Sequence, residues 1–288
     1  MRVAAAGARK NTVIPFDRLP EMARKLRAEW ESATPFPYVV IDDFLAPDQA
    51  ERAVEGFDGT TDGWIFHNHY NERKYCHSKK PHMHPAMLEL FADLESPRWL
   101  KFLEEVSGVK QLIADETLDG SSGLHKSLPG CFLKIHRESV GHNGHDDWKR
   151  QINLLLYLNK DWKAEWDGEL QIIDHKTMSS VKEITPYCNR MVLFLTNPIA
   201  FHGNPKVLKC PEGVERKSLA AYYFTQEKQK IGIKPVLYKP EATDGAGRRA
   251  MIALNNLALR VYFPIRKYTP INDEFVEKVM RRVGLTRD

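Results

Sequence analysis

The sequence predicts an α+β fold: an antiparallel β sandwich or barrel with helices packed on its outside. Three observations carry that expectation. From Gly123 onward, short apolar runs follow one another with no helical periodicity between them. Turn-type residues separate these runs, as in Asp167-Gly168, Asn197-Pro198 and Gly203-Asn204-Pro205. Before and after this stretch the apolar spacing is helical instead. Consecutive strands without crossover helices argue against a parallel sheet.

In chain order, Met22, Leu26 and Trp30 recur every four residues, as one face of a helix does. Tyr38-Val39-Val40-Ile41 reads as a short strand. It ends at Asp42-Asp43-Phe44-Leu45, before a helix opened by Pro47-Asp48. A helical pair is expected over 86–94 and 97–106. The polar, histidine-rich stretch 67–84 reads as loop. Six strands follow, over 131–138, 152–158, 169–174, 180–184, 190–195 and 218–224. Beyond Thr225, Met251, Leu254, Leu257, Leu259 and Val261 share a helix. In a final helix Asn272 is the cap, with Asp273 and Glu274 at its positive end. Phe275, Val276, Val279, Met280 and Val283 form its apolar face, and Gly284 is its stop. The expected organisation is one domain over 1–288, with a mixed helical part at 1–122, the β core at 123–226 and a helical extension at 227–288.

Composition excludes several classes. The chain has 288 residues, 42% of them hydrophobic, and a formal net charge of +4 from 42 basic and 38 acidic residues. These charges are interspersed, so nucleic acid is not an expected partner. Cys76, Cys131, Cys188 and Cys210 lie far apart with no CxxC pair. Reduced thiols in a cytoplasmic protein are expected, although two disulfides remain open on count alone. The stretch 1–10 lacks the apolar core of a signal peptide. No apolar run approaches the roughly 18 residues a membrane helix needs, so no membrane role is expected.

The chemistry begins at His136-Arg137-Glu138. On a strand, residues i and i+2 share a face, so an imidazole and a carboxylate converge there. A second histidine from a distant strand completes a two-His-one-carboxylate face with neighbouring positions open, the arrangement of non-haem iron(II) oxygenases. His202, just after the apolar run 190–195, is the candidate. Arg216 begins the last apolar strand, and a guanidinium entering a β core needs an anionic partner. A dicarboxylate supplies one through a bidentate fork, and Ser218 on the same face adds a hydroxyl. A rival carboxylate frame is His145-Asp146-Asp147. Asp147 stands six residues before Asn153, which leaves little room for a loop after a metal strand. Cys76, His77, His82 and His84 fit no zinc-finger spacing. Trp148, Trp162 and Trp166 are read as packing residues.

Six blocks of this chain resemble prolyl-4-hydroxylase-like members of the 2-oxoglutarate/Fe(II)-dependent dioxygenase superfamily. They are Gly130-Cys131-Phe132-Leu133-Lys134-Ile135-His136, then Asn153 to Trp162, Asp167-Gly168-Glu169-Leu170, Pro186 to Phe194, Phe201-His202-Gly203-Asn204-Pro205 and Arg216 to Phe224. Phe36 to Leu45 is also similar to the opening of these proteins, whereas 60–85 and the C-terminal helices have no counterpart. The resemblance implies a double-stranded β-helix, or jelly-roll, core. It makes His136 and His202 iron ligands and Arg216 the partner of the distal carboxylate of 2-oxoglutarate, with the Tyr157 hydroxyl on the same carboxylate. Fe(II), 2-oxoglutarate and O2 would be required, with ascorbate a candidate accessory reductant.

Glu138 departs from the family's usual aspartate. Because the carboxylate position is filled, the resemblance favours hydroxylation, with release of succinate and CO2. Lys134, which alternation puts on the His136 face, together with His125 and His145, is a candidate substrate contact. No added peptide-binding domain is evident, so a small-molecule substrate is expected. A peptidyl hydroxylase, or a non-catalytic cupin-like binding protein, is the alternative.

Overall fold

The computed structural model describes residues 12–118, 122–231, 235–241 and 244–268. The expected final helix around 272–284 and the stretch 1–10 lie outside the described residues. Five helices form: α1 (Leu19–Ser32), α2 (Pro47–Asp58), α3 (Pro85–Leu94), α4 (Pro97–Ser107) and α5 (Ala246–Tyr268). Each of the first four has proline at its first or second position, where no intrahelical N–H is needed. Ser96 caps α4 by accepting from the Trp99 N–H, and Gly108 ends it in the left-handed conformation.

The strands are β1 (Tyr38–Ile41), β2 (Ile65–His69), β3 (Glu72–His77), β4 (Ile113–Ala114), β5 (Gly123–Ser127), β6 (Phe132–Arg137) and β7 (Trp148–Tyr157). The rest are β8 (Leu170–Ile173), β9 (Ser180–Ile184), β10 (Arg190–Leu195), β11 (Phe201–Asn204), β12 (Arg216–Gln226) and β13 (Leu237–Tyr238). They pair antiparallel in the order β1-β10-β7-β12-β5-β3-β6-β11-β8-β9, with β2 on β3, β4 on β12 and β13 on β6. The sheet curls into a jelly roll. Its two halves meet where Tyr157, Val192 and Phe194 pack on Leu170, Ile172 and Ile184.

Alternation explains how this fold separates its two interiors. On β7, Ile152, Leu154 and Leu156 face outward into a large core shared with α1 to α4, while Asn153, Leu155 and Tyr157 face inward. On β12, Leu219, Ala221 and Tyr223 likewise meet the helices. Trp99 of α4 donates its indole N–H to the Tyr223 hydroxyl at 2.7 Å, and that hydroxyl donates to the Leu94 carbonyl at 3.2 Å. Helices therefore cover one half of the roll and leave the other half free to close over the interior.

Two expectations change. The stretch expected as loop over 67–84 contains the β2–β3 hairpin, and β3 lies inside the sheet between β5 and β6. Four strands before Gly123 thus belong to the roll. Helix α5 forms where expected, but Met251, Leu254 and Leu257 are exposed, and among its residues up to 260 Ile252 is the one buried; Val261 lies outside the described side chains. The four cysteines are free thiols. Among the described residues no helix is long and apolar enough to cross a membrane.

Candidate metal centre

His136 on β6 and His202 on β11 stand directly opposite each other in the pairing of these strands. Their ring centroids are 4.6 Å apart. Glu138, just past the end of β6, brings its Oε1 to 3.7 Å from His136 Nε2 and 3.6 Å from His202 Nε2. Among the described residues, this trio is the group of histidine, cysteine or acidic side chains whose ligand atoms converge, all within 4.8 Å. Each imidazole is oriented from behind. His136 Nδ1 donates to the Lys134 carbonyl at 2.8 Å, and His202 Nδ1 donates to the Ala200 carbonyl at 3.1 Å. That fixes the tautomer and leaves both Nε2 lone pairs aimed at one point.

The electrostatics agree with a cation-ready site. Burial alone would raise the Glu138 carboxyl, but the neighbouring histidines and the Arg150 charge outweigh it and hold the group well below the usual range. Burial, reinforced by His136, lowers the pKa of His202 despite the opposing pull of Glu138. Two imidazoles and one carboxylate, buried and pre-oriented, are a donor set that fits a divalent iron with open positions.

A bulge shapes the floor of the site. His202 pairs with His136 and Asn204 with Leu133, so β6 spends one more residue than β11 over the same interval. The alternation shifts there, and Leu133, not Lys134, joins His136 in lining the cavity. Lys134 points elsewhere, pairing with Glu241 at 2.8 Å. Its expected place beside the metal is corrected by that one-residue shift. Gly203 faces the bulge. Any Cβ there would lie 2.9 Å from the carbonyl oxygens of both Leu133 and Lys134, so only glycine lets the strands approach.

At the other end of the cavity, which has about 120 Å³ of interior space, Arg216 and Ser218 project from β12. Arg216 Nε donates to the Gly168 carbonyl at 2.7 Å, and its Nη2 to the Tyr157 hydroxyl at 3.4 Å. The Gly168 backbone has φ +88, and a side chain there would strike Leu208 and Arg216. Among the described residues, the groups bonded to Arg216 are a carbonyl and a phenol, neither of them an anion. Its charge is therefore available to a carboxylate. Tyr157 lies behind the guanidinium, under which its ring is stacked at 5.0 Å, and holds it in place. His125 and Ser127, paired opposite Ser218 and Arg216, complete this wall.

His145 is not brought to the cavity. It stacks on Trp148 at 4.0 Å, beside a separate surface depression. The rival frame dissolves with it, since Asp147 Oδ2 accepts from the Gln226 amide at 2.7 Å and belongs to no converging group. His142 is buried with its Nε2 3.3 Å from Asp115. That pair pins the segment following the metal strand. Burial would raise the Asp115 carboxyl, but hydrogen bonds from His142 and Thr117 lower it overall. A depressed carboxyl stabilises the fold above its unfolded pKa, near 3.9, and that contribution fades as pH falls through the folded value. The Tm gap between wild type and Asp115→Asn, several degrees at pH 6, is expected to narrow below about pH 4 in thermal melts.

Sequence reasoning missed three residues. Glu72 and Lys74, from the stretch expected as loop, form an ion pair at 3.1 Å and line the cavity. Burial works against both charges, yet Glu72 is held well below and Lys74 well above their ordinary values, chiefly by each other. Arg150, just before the apolar run of β7, donates to Glu138 Oε2 at 2.9 Å. The argument that flagged Arg216, an arginine entering a β core, applies to it equally.

Residues 122–224, which include all three converging side chains and Arg216, match the sequence profile of the 2OG-Fe(II) oxygenase superfamily. Mouse prolyl 3-hydroxylase OGFOD1 is 27% identical over 227 residues, covering 71% of this chain. The chain spans 38% of that relative's length. A prolyl hydroxylase from Trichoplax adhaerens, solved with a hypoxia-inducible-factor peptide, superposes with TM-score 0.52 at 14% identity. It covers 72% of this chain and 91% of its own. A Pseudomonas putida prolyl-4-hydroxylase gives 0.48 at 19% identity, over 70% and 99% of the two chains. Residues 122–224 are thus similar to the 2OG-Fe(II) oxygenase superfamily, whose members are dioxygenases using Fe(II), 2-oxoglutarate and O2.

Proposed function

We propose that this protein hydroxylates an unactivated C–H bond of its substrate, coupled to conversion of 2-oxoglutarate to succinate and CO2. The observation that carries this reading is one cavity lined both by the converging His136, Glu138 and His202 and by Arg216 with Ser218. A five-carbon dicarboxylate suits that layout, with one carboxylate on the guanidinium and its 2-oxo acid end toward the metal ligands. When bound, iron and 2-oxoglutarate together activate dioxygen, one atom of which enters succinate and the other the substrate.

The chain's own residues do the remaining work. His136, Glu138 and His202 would hold the metal. Arg216, steadied by Tyr157 and the Gly168 carbonyl, orients the cosubstrate, and Ser218 adds a hydroxyl. Leu133, Leu155, Leu170 and Phe194 wall the cavity and exclude water.

For the substrate, a small molecule is the first reading. One observation favours a second reading, a prolyl residue within a protein: the mouse relative matched over most of this chain is named a prolyl 3-hydroxylase. Succinate formation with Fe(II), 2-oxoglutarate and O2 is the test. It would be measured against free amino and imino acids in one arm and proline-containing peptides in the other. Release stimulated in either arm supports hydroxylation and assigns the class. Absence of both turnover and 2-oxoglutarate binding would reject the enzymatic reading.

A further inference from the structure

Glutamate as the carboxylate of such a site poses a geometric problem. Its extra methylene lets both oxygens swing toward one metal ion. A chelating carboxylate would occupy a position that a bidentate cosubstrate needs. The structure contains a device that prevents this.

We propose that Arg150 is a positioning residue that confines Glu138 to one ligating oxygen and so keeps the cosubstrate positions of the metal open. The proposal rests on the iron/2-oxoglutarate reading of the site. Arg150 Nη1 donates to Glu138 Oε2 at 2.9 Å, while Oε1 is the oxygen facing both histidine Nε2 atoms, at 3.7 and 3.6 Å. The carboxylate's two oxygens thus have separate duties. A charge-assisted hydrogen bond to a buried guanidinium is among the stronger fixed contacts available.

Arg150 is itself immobilised. It is 1% exposed, and its guanidinium lies over the Tyr222 ring at 3.9 Å. Its backbone N–H donates to the Val140 carbonyl at 2.7 Å, tying β7 to the segment just beyond Glu138.

The backbone is bent specifically to deliver this side chain. Alternation along β7 turns Ile152 and Leu154 toward the helices, and Arg150 would follow them. The β12 register, however, runs Tyr223 to Ile152 and then Phe224 to Arg150, so β7 carries one extra residue, Gln151. That bulge reverses the alternation and brings Arg150 to the metal side with Asn153 and Leu155. An arginine used only for packing would not need it.

Co(II) replaces iron as a spectroscopic probe in the full chain, and 2-oxoglutarate binding to the Co(II) form is titrated separately. In Arg150→Met, Co(II) still binds. Its affinity falls by at most roughly 10- to 100-fold, the usual cost of losing a partner behind a metal ligand, and at saturating Co(II) the visible spectrum shifts as Glu138 gains a second bond and the Kd for 2-oxoglutarate rises above that of wild type. Arg150→Lys keeps the charge without the planar fork and lies between. If Arg150→Met does not fold, the lysine variant decides: a shifted spectrum with weakened 2-oxoglutarate binding supports the proposal, and wild-type values overturn it. A folded Arg150→Met with wild-type spectrum and Kd also overturns it. If wild type binds neither Co(II) nor 2-oxoglutarate, the underlying functional reading fails as well. Loss of Co(II) binding in Glu138→Ala beside an unchanged Arg150→Met would reject this proposal alone.

Discussion

His202→Ala should abolish metal binding at the centre and reduce succinate formation to the uncatalysed background. His202 contributes one of three converging atoms, and its Nε2 is buried with no other ligand-type side chain among the described residues able to replace it. Losing an outer partner of a ligand already costs roughly 10- to 100-fold in affinity, so losing a ligand itself should exceed that range. The measurement is metal content after dialysis, alongside Mn(II) titration. Asp147→Asn is the informative control. It removes the carboxylate of the rival frame, which bonds to Gln226 outside the cavity, and should leave metal affinity unchanged. Retained affinity in His202→Ala, or lost affinity in Asp147→Asn, would move the centre elsewhere.

Arg216→Ala should separate cosubstrate binding from metal binding. Truncating one side of a buried charge pair costs roughly 2–5 kcal/mol. At 1.4 kcal/mol per tenfold, the Kd for 2-oxoglutarate should rise by at least about 30-fold. Metal affinity should stay near wild type, because Arg216 lies at the opposite end of the cavity from the histidines. Arg216→Lys should fall between, since an ammonium keeps the charge but cannot bond a carboxylate through two parallel N–H groups. Titration of 2-oxoglutarate into the Zn(II)-loaded variants reads both effects. The alanine variant should also melt at lower temperature, because the Gly168 carbonyl and the Tyr157 hydroxyl lose their buried donor. A normal 2-oxoglutarate Kd in Arg216→Ala would remove it from the cosubstrate site.

Much of this was legible in the sequence where the physics is local. The run Ile152 to Leu158 announced a strand because both of its faces are covered, one by helices and one by the opposing sheet. His136 and Glu138 share a face as the two-residue period requires. The failures occur where the period breaks. A bulge in β6 exchanged Leu133 for Lys134 at the cavity, and a bulge in β7 turned Arg150 inward. Counting residues along a strand cannot reveal either, because the extra residue is defined only by the partner strand. The β2–β3 hairpin was hidden for a different reason. Its inward residues, Glu72 and Lys74, face a polar cavity, so the strand carries no apolar alternation to read. Glutamate at position 138 is legible as chemistry, while the device that keeps its two oxygens apart is not.

The place of β3 has a consequence for dissecting the molecule. In sheet order it stands between β5 and β6, the seam joining the cosubstrate wall to the metal wall. Yet it lies well before residue 122, where the family-matched span begins. A fragment trimmed to 122–224 would keep every ligand candidate and still lose the strand that stitches the two walls together. It would leave unpaired edges on β5 and β6, ready to join another chain's strand. The minimal unit that can hold this site is therefore larger than the minimal unit that can be recognised, and an expression boundary belongs upstream of the hairpin.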